Sequence, residues 1–581
     1  MRLIRLLPAL SLLSALSAQP SQPPLSAQDR LAWFKEAKFG VFVHWGAYSV
    51  IGRHEWARHF YQIPQAEYDK YARQFNPVAF NADSWVSLAQ NAGARYMVVT
   101  SKHHDGFSIY RSKTSDYDME ITPYQGDPLK QLANAAQRKN MRLGFYHSIM
   151  DWHHPDYRPK RAWESKTPNA GGNKDRYVDF MKNQLRELLT GYGDVAMLWF
   201  DGEWEHTLRD LKRDNEVYDF IRNLQPNTLI NDRLYERRLG NKADFFTPEQ
   251  HVPATGIPGL WESCVTINQD GWGYNQYETE FKTPRDLIRM LVEVVSKGGN
   301  LLLNVGPKPD GTIPVEQTTR LEAIGQWLRI NGEAIYGTTA SPFARLPFFG
   351  RATVKNNTLY LHVFAAPAGG VLRVPGLKSA VFSAGILGQP GVSLPVKKEN
   401  DDVLITLPPE ALSGALGEAA TVVALKLDST PVTVPATLQP DRGGALTLGV
   451  ESCEIETRFE QRAKKENALG HVFLTKWTRN DDVPTWRFRV PRAGRYKVSL
   501  AYGKQGASGV ALGGYALDFG QTKLTGKIQS TGGHWVFKPH DAGVVLLTAG
   551  EHELKITTDV KGSEAMQLEG EKLTPVPVTA R

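Results

Sequence analysis

Cysteine is scarce: Cys264 and Cys453 are the only two in 581 residues. They fall in different predicted domains, so no disulfide framework is expected and both read as free thiols. Charge of one sign is also lacking. Lys and Arg number 68 against 61 Asp and Glu, and the two signs are interspersed. Without a basic stripe to track phosphates, nucleic acid is not expected as a partner. No low-complexity block occurs, and beyond the N-terminus no apolar run is long enough to span a bilayer, so membrane insertion is not expected. Metal-ligand spacing is missing too. His103-His104, His147 and His153-His154 are ligand types, but no His-x-His or His-Glu-x-x-His occurs, and adjacent histidines on a strand are expected to point apart. Neither a metal nor a cofactor is expected.

What is present begins with residues 1–18, read as a signal peptide. Arg2 and Arg5 precede the apolar stretch Leu6 to Leu16, with Ala15, Ser17 and Ala18 as small cleavage-site residues. Secretion to the periplasm or the exterior is the expectation. At this length two or three domains are expected. Residues 28–338 alternate short apolar strands with longer amphipathic segments. About eight strands in some 300 residues suit an α/β fold of the (β/α)8, TIM-barrel type. Residues 340–428 switch to short alternating runs such as Thr358 to Val363, separated by Gly, Pro, Asn and Asp, and read as a β-sandwich. Residues 440–578 form a second all-β stretch, read as a jelly roll like a carbohydrate-binding module, with a packing domain that binds nothing as the equal alternative.

Val195-Ala196-Met197-Leu198-Trp199-Phe200-Asp201-Gly202 carries the most information. It is an apolar run ending abruptly in a carboxylate. A run of this kind fits a strand buried on both faces, and parallel sheets bind ligands at the carboxyl ends of their strands. A lone strand-end Asp is more commonly a turn or cap residue. Four other predicted strand ends shift that balance. They carry His44-Trp45 with His54-Glu55-Trp56 beyond, Lys102-His103-His104-Asp105, Tyr146-His147, and Asn231-Asp232-Arg233. Carboxylates among aromatic, His and Arg groups describe a pocket for a neutral, hydroxyl-rich ligand. Glycoside cleavage needs two carboxyl groups, about 5–5.5 Å apart for retention. Asp201 is one, and Glu249 and Glu262 compete to be the other.

These segments resemble α-L-fucosidases of glycoside hydrolase family 29. The likeness rests on Phe39 to Gly46, Lys102 to Phe107, Leu198 to Gly202, Asn231 to Arg233, Trp272 to Tyr274 and Asn300 to Pro307, which recur in order over the first 340 residues. The resemblance implies a retaining, metal-independent exo-fucosidase acting through a covalent fucosyl-enzyme on fucosylated oligosaccharides or glycoconjugates. Asp201 would be the nucleophile. His44, Glu55, Trp56, His103, His104, Tyr146, Trp199, Arg233 and Trp272 would line the fucose pocket, with Trp272 facing the C5 methyl. Glu249, in Thr247-Pro248-Glu249-Gln250, matches the acid/base of several relatives and is favoured. Glu262 is the alternative acid/base, or a sugar contact or a support for Arg233. The run Trp261 to Tyr274 resembles the branch acting on α-1,3/1,4-linked fucose.

Two rival readings remain. A metal-dependent hydrolase would be sensitive to chelation. A non-catalytic sugar-binding protein with a degenerate barrel would be expected to lack Asp201 or both glutamates, and none is lost. Oligomeric state is not readable from the sequence.

Overall fold

The computed structural model describes residues 23–577, apart from 239, 270, 400, 435–437, 439, 442, 456, 459–462, 469, 508–511 and 561–562. The expected signal peptide, 1–18, lies outside the described residues.

Helix positions follow from caps and amphipathic spacing. Asn81 accepts from the Ser84 N–H at 2.9 Å and opens Ala82–Asn91. Thr283 accepts from the Asp286 N–H at 3.1 Å and opens Pro284–Ser296, whose proline stands in the first turn, where no N–H is needed. Helices Pro128–Arg138, Lys174–Gly191, Asp214–Leu224 and Val315–Asn331 supply the amphipathic segments that alternate with the strands. Two helices were not foreseen, Ala27–Ala37 and Gln65–Gln74. Their apolar stripes are thin, burying only two residues each.

The strands of this region are β1 (Phe39–Val43), β2 (Tyr96–Lys102), β3 (Arg142–Ser148), β4 (Met197–Asp201), β5 (Leu229–Ile230), β6 (His251–Val252), β7 (Glu262–Thr266) and β8 (Asn300–Val305). Seven of them form one curled parallel sheet, in the order β5-β4-β3-β2-β1-β8-β7. Burial on both faces explains their continuous apolar runs. An eight-stranded closed ladder was expected, and the structure differs. Residues 244–250, between the edge strands β5 and β7, make only isolated parallel bridges, Asn231 to Phe245, Phe246 to Trp261 and Glu249 to Cys264. Here Phe245, Phe246 and Thr247 favour a strand, but Asp244 is disfavoured in one and Pro248 has no N–H to give to a ladder. β6 turns away and pairs with Thr457–Arg458 of the C-terminal region.

After the sheet, Gly350–Lys355, Thr358–Val363, Val381–Ile386 and Thr421–Leu427 form one antiparallel sheet, faced by Val371–Val374, Val396–Glu399 and Asp402–Thr406. Leu359, Leu361, Leu372, Ile405, Val423 and Leu425 fill the space between them. Alternation in Thr358–Val363 suggested one wet face, yet every residue is buried. Tyr360 belongs to the core of the first domain, and the His362 ring lies 6.3 Å from Trp327 of its last helix. The C-terminal region is a second two-sheet all-β unit, with Trp486, Phe488, Val498, Leu500, Ile556 and Leu568 among its core residues. Cys264 and Cys453 are both free and buried.

One guanidinium links the three regions. Arg289 donates to the carbonyls of Phe364 (2.5 Å), Glu418 (2.8 Å) and Ala419 (2.9 Å) and to Asn467 Oδ1 (3.1 Å). It also lies over the Phe349 and Phe364 rings. Arg289→Ala leaves those acceptors without their charged donor, at about 2–4 kcal/mol. In scanning calorimetry the variant should unfold several degrees lower, with the β regions separating from the first domain's transition. An unchanged single transition would contradict this role.

Candidate active site

The site forms where β1 to β4 end. Asp201, the last residue of β4, is buried and hydrogen-bonded from two sides, with the His104 ring close by. Arg233 Nη1 donates to Oδ1 at 2.7 Å, the Tyr146 hydroxyl donates to Oδ2 at 3.0 Å, and His104 Nε2 lies 3.7 Å from Oδ2. Burial alone would raise this carboxyl. The Arg233 charge and the donated bonds outweigh burial and hold it below the usual carboxylate range.

Arg233 follows β5, and its other nitrogen, Nη2, donates to Glu249 Oε2 at 2.8 Å. A single guanidinium therefore spans both carboxylates. Its Nε donates to Thr247 Oγ1 at 3.1 Å, its plane lies 4.4 Å over the Trp199 ring, and Thr247 in turn donates to Asp232 at 2.6 Å. Burial opposes the charge on Arg233, but the two carboxylates push its pKa well above the ordinary value. Glu249 sits on the irregular 244–250 segment with its side chain 34% exposed, and Arg237 Nη2 is 3.6 Å away.

Hydrogen bonds set the histidine tautomers. The Ser148 hydroxyl donates to the Met150 carbonyl, so at 2.6 Å it accepts from His104 Nδ1. The Asn304 amide donates to the Trp272 carbonyl, so its oxygen accepts from His44 Nδ1 at 2.7 Å. Each ring then carries a bare Nε2, an acceptor for a hydroxyl proton. Burial pushes His44 down to about 3 and His104 down to about 4, and drives His103 well below its usual range. All three imidazoles are neutral at neutral pH. His103 stacks on Tyr146 (5.3 Å, 9°), and its Nδ1 is buried without a partner among the described residues. The two adjacent histidines do not point apart. Their rings are 4.2 Å from each other, because both follow the end of β2 rather than lying in it.

Glu55 is buried, and its Oε2 accepts the backbone N–H groups of Trp272 (2.7 Å) and Gly273 (2.8 Å). It ties two loops together and orients Trp272, whose ring lies 5.1 Å from His44. Trp56 stands edge-on to His104 at 5.1 Å.

Two expected members of the site fall elsewhere. Glu262 is the first residue of β7, paired with Asn300 at the start of β8, and so sits at the amino ends of the strands. It is 0% exposed and accepts from the Tyr96 hydroxyl and from Trp199 Nε1 (3.0 Å). It does not pair with Arg233, which is held by Asp201 and Glu249. Trp199 is 1% exposed beneath Arg233 and serves as floor, not wall. Spacing in sequence could not separate a glutamate at the bottom of a strand from one on a loop at the top. The structure adds Ser148, Asn304 and Arg237 to the groups that the sequence points to. Polar strand-end position was an available signal for the first two, and Arg237 had none.

Asp201, Trp204, Arg233, Glu236, Arg237 and Glu249 line a cavity of about 290 Å³. A larger one, about 370 Å³, opens at the opposite ends of the strands, near Arg142 and Val195, away from these groups. Among the described residues, no group of three or more His, Cys, Asp or Glu is placed to hold a metal ion, and no helix is long and apolar enough to cross a membrane.

The sequence profile described as Alpha-L-fucosidase matches residues 10–333. The tissue alpha-L-fucosidase of Mus musculus is 32% identical over 419 residues, covering 66% of this chain and 89% of that protein. The crystal structure of alpha-L-fucosidase from Vibrio sp. strain EJY3 superposes with a TM-score of 0.72 at 26% identity, over 94% of this chain and 98% of the other. A trapped covalent intermediate of the alpha-L-fucosidase GH29 from Bacteroides thetaiotaomicron, in complex with 2-fluoro-fucosyl fluoride, superposes with a TM-score of 0.63 at 29% identity, over 71% and 98%. The profile spans the whole curled sheet and every strand end that builds the pocket, and on that ground the chain belongs to the α-L-fucosidases of glycoside hydrolase family 29.

Proposed function

We propose that this protein is a retaining exo-α-L-fucosidase in which Asp201 is the nucleophile and Glu249 the acid/base. The observation that carries the reading is the Arg233 fork, which holds both carboxylates at the ends of neighbouring elements. Retention uses carboxyl groups about 5–5.5 Å apart, a distance that one guanidinium can span. Support for the covalent route comes from the Bacteroides relative trapped as an intermediate.

Arg233 also gives the two steps a shared charge. While Asp201 is ionised, it takes the larger part of that charge, and Glu249 gives its proton to the departing oxygen. Once Asp201 is esterified its charge is gone, and Arg233 is left to stabilise the Glu249 carboxylate, the form that activates water in the second step. His44 and His104 accept hydroxyl protons, and Trp272 faces the apolar edge of the 6-deoxy sugar. In this reading residues 244–250 complete a (β/α)8 barrel, residues 1–18 export the protein to the periplasm or beyond, and α-1,3/1,4-linked fucose on branched glycans is the linkage to test first.

Hydrolysis of α-L-fucosyl fluoride followed by proton NMR tests the reading. The first-formed sugar should be α-L-fucose, with the β anomer growing in later by mutarotation. First-formed β-fucose, or no turnover, would overturn it. Dialysis against EDTA should leave the rate unchanged, since both carboxyl functions come from the chain.

A further inference from the structure

Exposed aromatic side chains in the first domain are few and are not scattered. Among the described residues up to 338, the exposed ones are Phe60 (59%), Tyr61 (56%), Trp204 (45%) and Tyr277 (59%). Trp204 follows Asp201 by three residues and lines the same cavity. Its ring is nearly parallel to Trp56 (6.4 Å, 17°), and Trp56 is nearly parallel to Phe60 (6.0 Å, 27°). The ladder thus steps outward from the nucleophile. Beside it, Tyr61 and Tyr277 flank the Arg53 guanidinium at 5.7 and 4.3 Å. The Gln276 N–H donates to the Gly52 carbonyl at 2.9 Å and fastens the two loops together.

A continuous exposed apolar patch rimmed by polar groups marks a binding surface rather than ordinary exposure. Flat π faces suit the C–H faces of pyranose rings, and a guanidinium held between two rings offers donors to hydroxyls. Trp204 joins this ring series to the pocket, and the series is distinct from the polar strand-end groups proposed to hold fucose. We infer that Trp204, Phe60, Tyr61 and Tyr277, with Arg53, form a shelf that binds the leaving portion of the substrate, a neutral oligosaccharide of at least two rings beyond the scissile bond. The inference rests on the fucosidase reading and narrows it to extended glycans.

The test compares wild type with the triple variant Phe60→Ala/Tyr61→Ala/Tyr277→Ala on α-L-fucosyl fluoride, which has no leaving sugar, and on a neutral fucosylated tetrasaccharide. The variant should keep kcat/KM on the fluoride within about twofold and lose about tenfold or more on the tetrasaccharide, mostly through KM; tenfold corresponds to about 1.4 kcal/mol. Equal loss on both substrates, or none on either, overturns the shelf. Titration calorimetry with the defucosylated oligosaccharide reads the shelf without turnover. Wild type should bind it and the variant should not, so a failure of the fucosidase reading stays distinguishable. If light scattering instead finds a smaller assembly for the variant, with unchanged glycan kinetics, the rim is a contact between copies and the inference falls.

Discussion

Asp201→Asn should lower kcat on any α-L-fucoside by roughly 10³–10⁵-fold, a barrier increase of about 4–7 kcal/mol. The asparagine oxygen can still accept from Arg233, and its amide NH2 can donate to the Tyr146 hydroxyl oxygen once that hydroxyl rotates, so the pocket keeps its shape and only the nucleophilic charge is lost. Arg233 keeps Glu249 as a charged partner and is not left buried and unpaired, the situation that would cost several kcal/mol of stability. Circular dichroism and unfolding temperature should therefore stay close to wild type while activity collapses. The smaller variant Asp201→Gly opens room for azide on the face the carboxylate occupied. With fucosyl fluoride and azide it should give β-fucosyl azide, because azide then makes the first displacement itself. Asp201→Asn retaining near-wild-type kcat would remove the central assignment.

Glu249→Gln and Glu262→Gln should behave oppositely, and this contrast has the second largest effect. Glu249 is reachable from solvent beside Asp201, so its loss should cost about 10²–10⁴ on a natural glycan, the usual range for a general acid/base. With an activated aryl fucoside the first step needs no acid, and azide should capture the fucosyl-enzyme as α-fucosyl azide. Glu262→Gln should lose less than about tenfold and yield no azide product, since its partners are Tyr96 and the Trp199 indole. Its effect should appear in stability. Burial, opposed by the bonds from Tyr96 and Trp199, pushes the Glu262 carboxyl up to about 7. An unfolded glutamate titrates near 4.3. Between those values the folded chain holds a proton that the unfolded chain has released. The contribution is thus complete at low pH and fades as pH rises to about 7, a loss on the order of 4 kcal/mol. The Gln variant has no such proton, so its unfolding temperature should fall less than that of wild type between pH 5 and pH 8. A steeper fall in the variant, or azide rescue of Glu262→Gln, would contradict this division of roles.

Much of this is legible in the sequence. Strands β1 to β4 announce themselves because burial on both faces demands unbroken apolar runs, and the polar residues that end those runs are the pocket groups. His44, His103, His104, Tyr146 and Asp201 can all be picked out in this way, and Arg233 follows the shorter β5. Helices with a capping residue and a wide apolar stripe, such as Pro128–Arg138 and Pro284–Ser296, were equally readable. Residues 244–250 were not. Their placement depends on bridges to both edges of the sheet rather than on any local period.

Sequence alone determined the βα alternation, the change to all-β texture near residue 340 and the identity of the strand-end carboxylate, because each is written in short-range periodicity. Tertiary structure alone separated the positions of Glu249 and Glu262. The two are thirteen positions apart, yet register with Asn300 puts one at the amino end of β7, under Trp199, while the irregular segment before it carries the other to the Arg233 fork. Only the fold, too, gathered Phe60, Tyr61, Trp204 and Tyr277 onto one rim, since no local pattern relates side chains that meet only when separate loops close on the same mouth.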